Sequence, residues 1–268
     1  MQPGNGPPAQ SVIVERRNAI AHLVLARPDH GNAIDMALAK ALERAAADVG
    51  TDPAIRCVVL TGQGRLFCTG GDIAAFAAAG DEAGAFLQDL ATTFHRAIRT
   101  LATMPKPLLV AVNGPAAGAG LSLAALGDVV VAARSAHFTA AYPALGLTPD
   151  GGMTWLLPRL VGLRRAQEMI LTNRRVSAED AVAFGLASQV VDDANLATGV
   201  AETARSLADA PTAALGKARA LLLDGASSSF DEHLDAEARA IAEAGAAPEL
   251  KTGLAAFLSR RKPDSRSA

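Results

Sequence analysis

Two stretches of the chain repeat one plan, and that plan limits the possible folds more than any other feature. Residues 58–76 (VVLTGQGRLFCTGGDIAAF) and 108–125 (LLVAVNGPAAGAGLSLAA) each open on an apolar run, pass through a glycine-rich turn and end at a helix start. An apolar run of strand length without polar alternation suits a strand covered on both faces, as in a largely parallel sheet with helices on either side. At both turns, small side chains surround backbone N–H groups at or near a helix N-terminus. Such amides have no partner within the helix and lie along its positive dipole end. Two turns of this kind converging on one point make a two-donor oxyanion hole. The same spacing also fits plain tight strand-to-helix connections. A dinucleotide or phosphate loop does not fit: neither turn reads GxGxxG or GxxxxGK followed by Ser or Thr, and Gly62-Gln63-Gly64 lacks the third glycine.

The rest of the chain alternates in the same style. Val12–Arg16 and Ile20–Ala26 read as a β-hairpin around Arg17-Asn18. A helix is expected from Asp35, its N-cap, to Val49, with Gly50 as its stop. Ile55–Thr61, Leu108–Val112 and Asp128–Ala133 read as buried strands, and Gln189–Val191 as a last short one. A long helix fits Asp81 to Thr103, and a short one Leu121–Leu126. Beyond Pro149 the pattern is mostly helical, over Thr154–Leu160, Arg164–Leu171, Ala178–Phe184, Leu196–Ala208, Ala213–Leu223 and Phe230–Ala244. Together these predict an α/β core followed by an all-helical extension.

Composition closes off several function classes. The net charge of −2 offers no basic field for nucleic acid. No apolar stretch approaches 18 residues without turn signals, so no membrane span is expected. The opening MQPGNGPPAQ lacks the features of a signal peptide and reads as a flexible tail. Cys57 and Cys68 sit in apolar runs as buried thiols, which suits a reducing, cytoplasmic setting. No histidine–carboxylate spacing suggests a metal.

Five ordered segments then carry a resemblance. LTGQGRLFCTGGD follows the pattern TG-x-G-x-x-F-C/S-x-G-x-D, and AVNGPAAGAGLSLA the pattern A-x-x-G-x-x-x-G-G/A-G. Ala26-Arg27-Pro28 with Asn32-Ala33 is similar to RP-x-x-x-N-A, while residues 145–162 and 253–263 match later segments in order. Spanning roughly residues 11 to 263, this set resembles the enoyl-CoA hydratase/isomerase (crotonase) family. The resemblance implies a ββα superhelix (spiral) core over 11–195, behind a tail at 1–10. It also implies a C-terminal all-helical segment over 196–268 for trimerisation, hence a homotrimer or a hexamer built as a dimer of trimers. The implied substrate is an acyl-CoA thioester, with no cofactor beyond the coenzyme A it carries. Carried over by residue, the oxyanion amides fall on Gly71, before Asp72, and on Ala119, after Gly118. Alanine at 119 departs from the family's frequent glycine and would be strained at a positive φ. Arg27 and Ala74 are implied near the nucleotide arm of CoA, with alanine at 74 in place of a common lysine. Arg261-Lys262 resembles a basic pair that reaches CoA phosphates, although a solvated helix end explains it equally well.

The reaction is narrowed by what stands at the acid/base positions. The hydratase branch uses two glutamates; Ser122 and Tyr142 occupy those places here, and neither is a ready base at neutral pH, the phenol titrating near about 10. Asp150, in Thr148-Pro149-Asp150-Gly151-Gly152, resembles the single acid/base of the isomerase branch. The run PDGGMTWLLPRLVG is similar to ring-enoyl-CoA isomerases of aerobic phenylacetate breakdown. Leu145, Leu147, Met153, Trp155 and Leu156 are expected to bury Asp150, whose other reading is a turn or cap aspartate. Ser122 is expected to line the acyl pocket or to cap a neighbouring amide, and Tyr142 to form part of the wall. An enoyl-CoA hydratase or dienoyl-CoA isomerase with unusual acid/base groups is the alternative within the class, and a non-catalytic acyl-CoA binding protein the alternative outside it. Gly120-Leu121-Ser122-Leu123-Ala124 superficially matches a nucleophile elbow, but none of His22, His30, His95, His137 or His233 sits in a recognisable partner motif.

Overall fold

The computed structural model describes residues 10–260; the expected tail (apart from Gln10) and the Arg261-Lys262 pair lie outside the described residues. Strands β1 (Val12–Arg17) and β2 (Ile20–Leu25) form the expected hairpin, with Asn18 at a φ of 56° in its turn. Next to them lie β3 (Cys57–Gly62), β4 (Leu108–Val112), β6 (Val129–Ala133) and β9 (Gln189–Val191), all parallel, in the order β1-β2-β3-β4-β6-β9. A second sheet of β5 (Ala116–Ala117), β7 (His137–Thr139) and β8 (Val176–Ser177) stands beside it. The helices in chain order are α1 (Met36–Thr51), α2 (Ile73–Ala78), α3 (Ala83–Thr103), α4 (Ala119–Ala125), α5 (Met153–Val161), α6 (Leu163–Leu171), α7 (Ala178–Phe184), α8 (Leu196–Asp209), α9 (Thr212–Asp224), α10 (Phe230–Ala246) and α11 (Pro248–Arg260). The result is the expected α/β core followed by a C-terminal helical segment.

The unbroken apolar runs have the anticipated cause. Alternate side chains of β3 and β4 point to opposite faces. Val58, Leu60, Leu108 and Val110 join the large core with α1 and α3, while Cys57, Val59, Leu109 and Ala111 join a smaller core under Val200, Ala204 and Ala208 of α8. Both faces are covered, so both must be apolar.

Local signals failed where a distant group intervened. Gly50 does not stop α1; it keeps a right-handed conformation, and the helix continues to Thr51. The buried Lys106 ammonium caps that end instead, donating to Val49 O at 2.9 Å and Asp52 O at 2.7 Å, a favourable site for a cation at a helix C-terminus. Asp35 does cap the other end, accepting from Leu38 N at 2.7 Å. Helix α4 begins at Ala119 rather than Leu121, and α11 and the small sheet were not foreseen as elements.

Candidate active site

The two glycine turns meet through the small sheet. Ala117 N donates to Cys68 O at 2.9 Å, and Gly118 N to Thr139 O at 3.1 Å. On the other side Ile34 bridges the first turn, its N–H donating to Gly70 O (2.7 Å) and its carbonyl accepting from Asp72 N (3.0 Å). This pairing steps over Gly71. Ala119, as the first residue of α4, lacks an intrahelical partner. Among the described residues no backbone oxygen accepts from the amide of either Gly71 or Ala119. Both residues line one cavity of about 460 Å³, whose wall also includes Gly118, Tyr142 and Asp150.

Positive φ falls on Gly118 (φ 53°, ψ −127°), a region closed to side chains, and on Gly70 (φ 101°). Ala119 has no positive φ, so alanine is accommodated there without the strain considered above. At Gly120 a different limit applies: an added Cβ would lie 2.1 Å from Cys68 O, so only glycine lets α4 approach the first turn this closely.

The first turn is shaped by a residue whose role the sequence did not reveal. Asn32, buried and at a φ of 54°, donates from Nδ2 to Leu66 O (2.8 Å), Gln63 O (3.0 Å) and Phe67 O (3.2 Å), and accepts from Arg27 N at 2.9 Å. Asn113 adds a bond from Nδ2 to Gly64 O and accepts from Gly62 N. Only the spacing RP-x-x-x-N marked Asn32. Arg27 itself faces inward: its guanidinium binds Ala33 O, Asp35 at 3.1 Å and Asp72 at 3.0 Å. Asp72 in turn caps α2 through Ala74 N and Ala75 N. Burial pushes the Asp72 carboxyl up, but the Arg27 guanidinium and these two amides outweigh it and hold it below the usual carboxylate range. Neither Arg27 nor Asp72 lines the cavity. Ala74 is exposed on α2.

Asp150 is held from three sides. The Tyr142 hydroxyl donates to its Oδ1 at 2.6 Å, and Ser122 Oγ donates to its backbone carbonyl at 2.9 Å. His95 Nε2 accepts from the next amide, Gly151 N, at 3.0 Å. Ser122 is wholly buried and absent from the cavity wall, so it supports the turn rather than lining the pocket, and it offers no exposed nucleophile. Tyr142 follows Ala141, a non-glycine residue at a φ of 66° whose N–H is held by Asn173 Oδ1 at 2.7 Å. Burial, then the charge and hydrogen bond of Asp150, push the phenol far up, so Tyr142 stays a proton-bearing donor. The apolar enclosure expected around Asp150 is only partial: Leu145 and Trp155 are exposed, and the carboxyl retains 31% of its accessible surface. Cys57 and Cys68 are buried, chiefly for that reason pushed up to about 12, and inert as nucleophiles. Among the described residues no three His, Cys, Asp or Glu side chains gather as a metal site requires, and no helix is long and apolar enough to cross a membrane.

The family model described as enoyl-CoA hydratase/isomerase matches residues 15–267. The 1,2-epoxyphenylacetyl-CoA isomerase of Escherichia coli (strain K12) is 41% identical, over 94% of this chain and 97% of its own. A 4-chlorobenzoyl coenzyme A dehalogenase of an Arthrobacter species is 31% identical, over 95% of this chain and 92% of its own. Among solved structures, an enoyl-CoA hydratase from Polaromonas sp. JS666 superposes with a TM-score of 0.89 at 31% identity, covering 94% of this chain and 98% of that one. Sequence and fold thus agree that the chain belongs to the enoyl-CoA hydratase/isomerase (crotonase) family.

Proposed function

We propose that this protein is an enoyl-CoA isomerase that moves a double bond between the 3- and 2-positions of an acyl-CoA thioester. The observation that carries the reading is the presence of two unpaired amides, Gly71 and Ala119, and one carboxyl, Asp150, on the wall of a single cavity. Asp150 removes the C2 proton of a 3-enoyl thioester, and the released electron pair spreads over the thioester as a dienolate. The two amides hold the oxygen on which that charge collects. Asp150 then returns the proton at C4, leaving a C2–C3 double bond and a balanced reaction. Tyr142, by donating to Oδ1, leaves Oδ2 for the substrate.

Hydration is disfavoured by the same residues. Activating water while supplying a second proton needs two groups, and Ser122 is buried with its hydroxyl committed to Asp150 O, while Tyr142 keeps its proton. The 41% identical isomerase and the run PDGGMTWLLPRLVG support ring-derived CoA esters as the acyl class. For the nucleotide arm, we assign a path past the exposed Ala74, with Lys262 as the cation the resemblance implies and Arg27 acting from behind as a structural clamp. Exposed Leu222, Phe230 and Ile241 on the C-terminal helices support assembly into trimers or hexamers through that segment.

The test is Asp150→Asn assayed on a panel of 2-enoyl, 3-enoyl and dienoyl-CoA esters. Turnover of 3-enoyl-CoA should fall by about 10²–10⁴-fold, with binding of the CoA ester nearly unchanged. Retained turnover in the variant, or hydration of 2-enoyl-CoA outpacing isomerisation in the wild type, overturns the reading.

A further inference from the structure

The geometry points to His95 of α3 as the positioning residue for Asp150, acting through the Gly151 amide; this inference rests on the isomerase reading above. Asp150 precedes two glycines at positive φ, Gly151 (64°) and Gly152 (81°). Glycines in that region cost little to rotate, so this turn has no conformation of its own to hold the carboxyl. Its shape comes from outside. Ser122 fixes the Asp150 carbonyl and Tyr142 one carboxyl oxygen, but the peptide between Asp150 and Gly151 is set by its N–H, and that N–H goes to His95 Nε2 at 3.0 Å. Packing reinforces the same point. A Cβ on Gly151 would meet Ser122 Cβ at 2.8 Å and Phe94 Cε1 at 2.9 Å, so the turn lies flush against α4 and against the residue beside His95 on α3.

The hydrogen bond also fixes the state of the imidazole. Since Nε2 accepts from an amide it carries a lone pair, and the ring proton resides on Nδ1. Asp150 Oδ2 lies 3.8 Å from the same nitrogen. In this tautomer that approach is no ion pair, and it leaves Oδ2 without a proton donor from His95, available to the substrate. His95 is half-exposed, with 35% of its side-chain surface accessible, and does not itself line the cavity. Its contribution is the placement of a carboxyl that must reach both C2 and C4. A shift of about 1 Å in a catalytic group can cost roughly 10²-fold in rate.

The experiment compares His95→Leu, which removes the acceptor, with His95→Gln, whose amide oxygen restores one, by steady-state kinetics of the full-length protein on 3-enoyl-CoA. H95L should lose about 10²-fold in kcat with KM nearly unchanged, and H95Q should stay within about threefold of wild type. A wild-type kcat in H95L, or an equal loss in both variants, overturns the inference. If H95L does not fold, H95Q decides alone, a loss of about tenfold or more counting against the acceptor role. Asp150→Asn, run alongside, separates the two ideas: an inactive D150N with a fully active H95L sinks only the role of His95, whereas an active D150N sinks the isomerase reading beneath it.

Discussion

The two glycine turns each place one residue, Gly71 and Ala119, on the wall of the same cavity, yet they are held by different forces. The first, residues 62–72, is long, and its interior carbonyls are gathered by side-chain amides from elsewhere, chiefly Asn32 and Asn113. The second, residues 113–119, is short and pairs its backbone on both sides, with Cys68 and with Thr139. Its remaining constraint is close approach, visible at Gly114 and Gly120, where an added Cβ would lie 2.1 Å from Arg65 O and Cys68 O respectively. A turn can thus be held either by polar side chains that fold a loose loop around themselves or by backbone contact too tight for any side chain.

Three substitutions probe this contrast. The largest effect is expected from Gly120→Ala, because the contact it violates is with backbone, which cannot step aside. Helix α4 must move away from the first turn, costing about 3 kcal/mol or more in thermal or denaturant unfolding and removing the proposed isomerase turnover. Asn32→Ala should cost somewhat less, roughly 2–3 kcal/mol, since three carbonyls lose a donor and only Leu66 O keeps another, a long bond from Asn113. Its signature is a loosened first turn, with faster amide exchange over residues 62–72 than over 113–119. The smallest effect is expected from Ala119→Gly. With positive φ confined to Gly118, glycine at 119 relieves nothing, so kcat should hold, and stability should fall by no more than about 1 kcal/mol. A large gain in activity for A119G would show that Ala119 is strained after all.

Much of the architecture was legible in the residues. The apolar runs of β3, β4 and β6 announced strands covered twice, Asp35 announced the start of α1, and the two turns announced their shared plan. The small sheet was hidden because strands of two or three residues carry no periodicity. Gly50 misled for a related reason: a local stop signal was overridden by Lys106, which lies 57 positions from the Val49 carbonyl it caps. Motif order drew attention to Asp150, Tyr142, Gly71 and Ala119, which line one cavity, but not to the half-open setting of the carboxyl or the burial of Ser122.

The chain's own pattern determined which segments are strands, where glycine interrupts them and which residues carry ionisable or hydroxyl groups, because periodicity and backbone freedom are local properties. Which amides remain without a backbone partner, and how one carboxyl is oriented, followed from contacts between distant segments. Those outcomes depend on bonds such as Asn32 to Leu66, 34 positions apart, and His95 to Gly151, 56 apart. A hydrogen bond is made or withheld by distance in space, and distance along the chain carries almost no record of it.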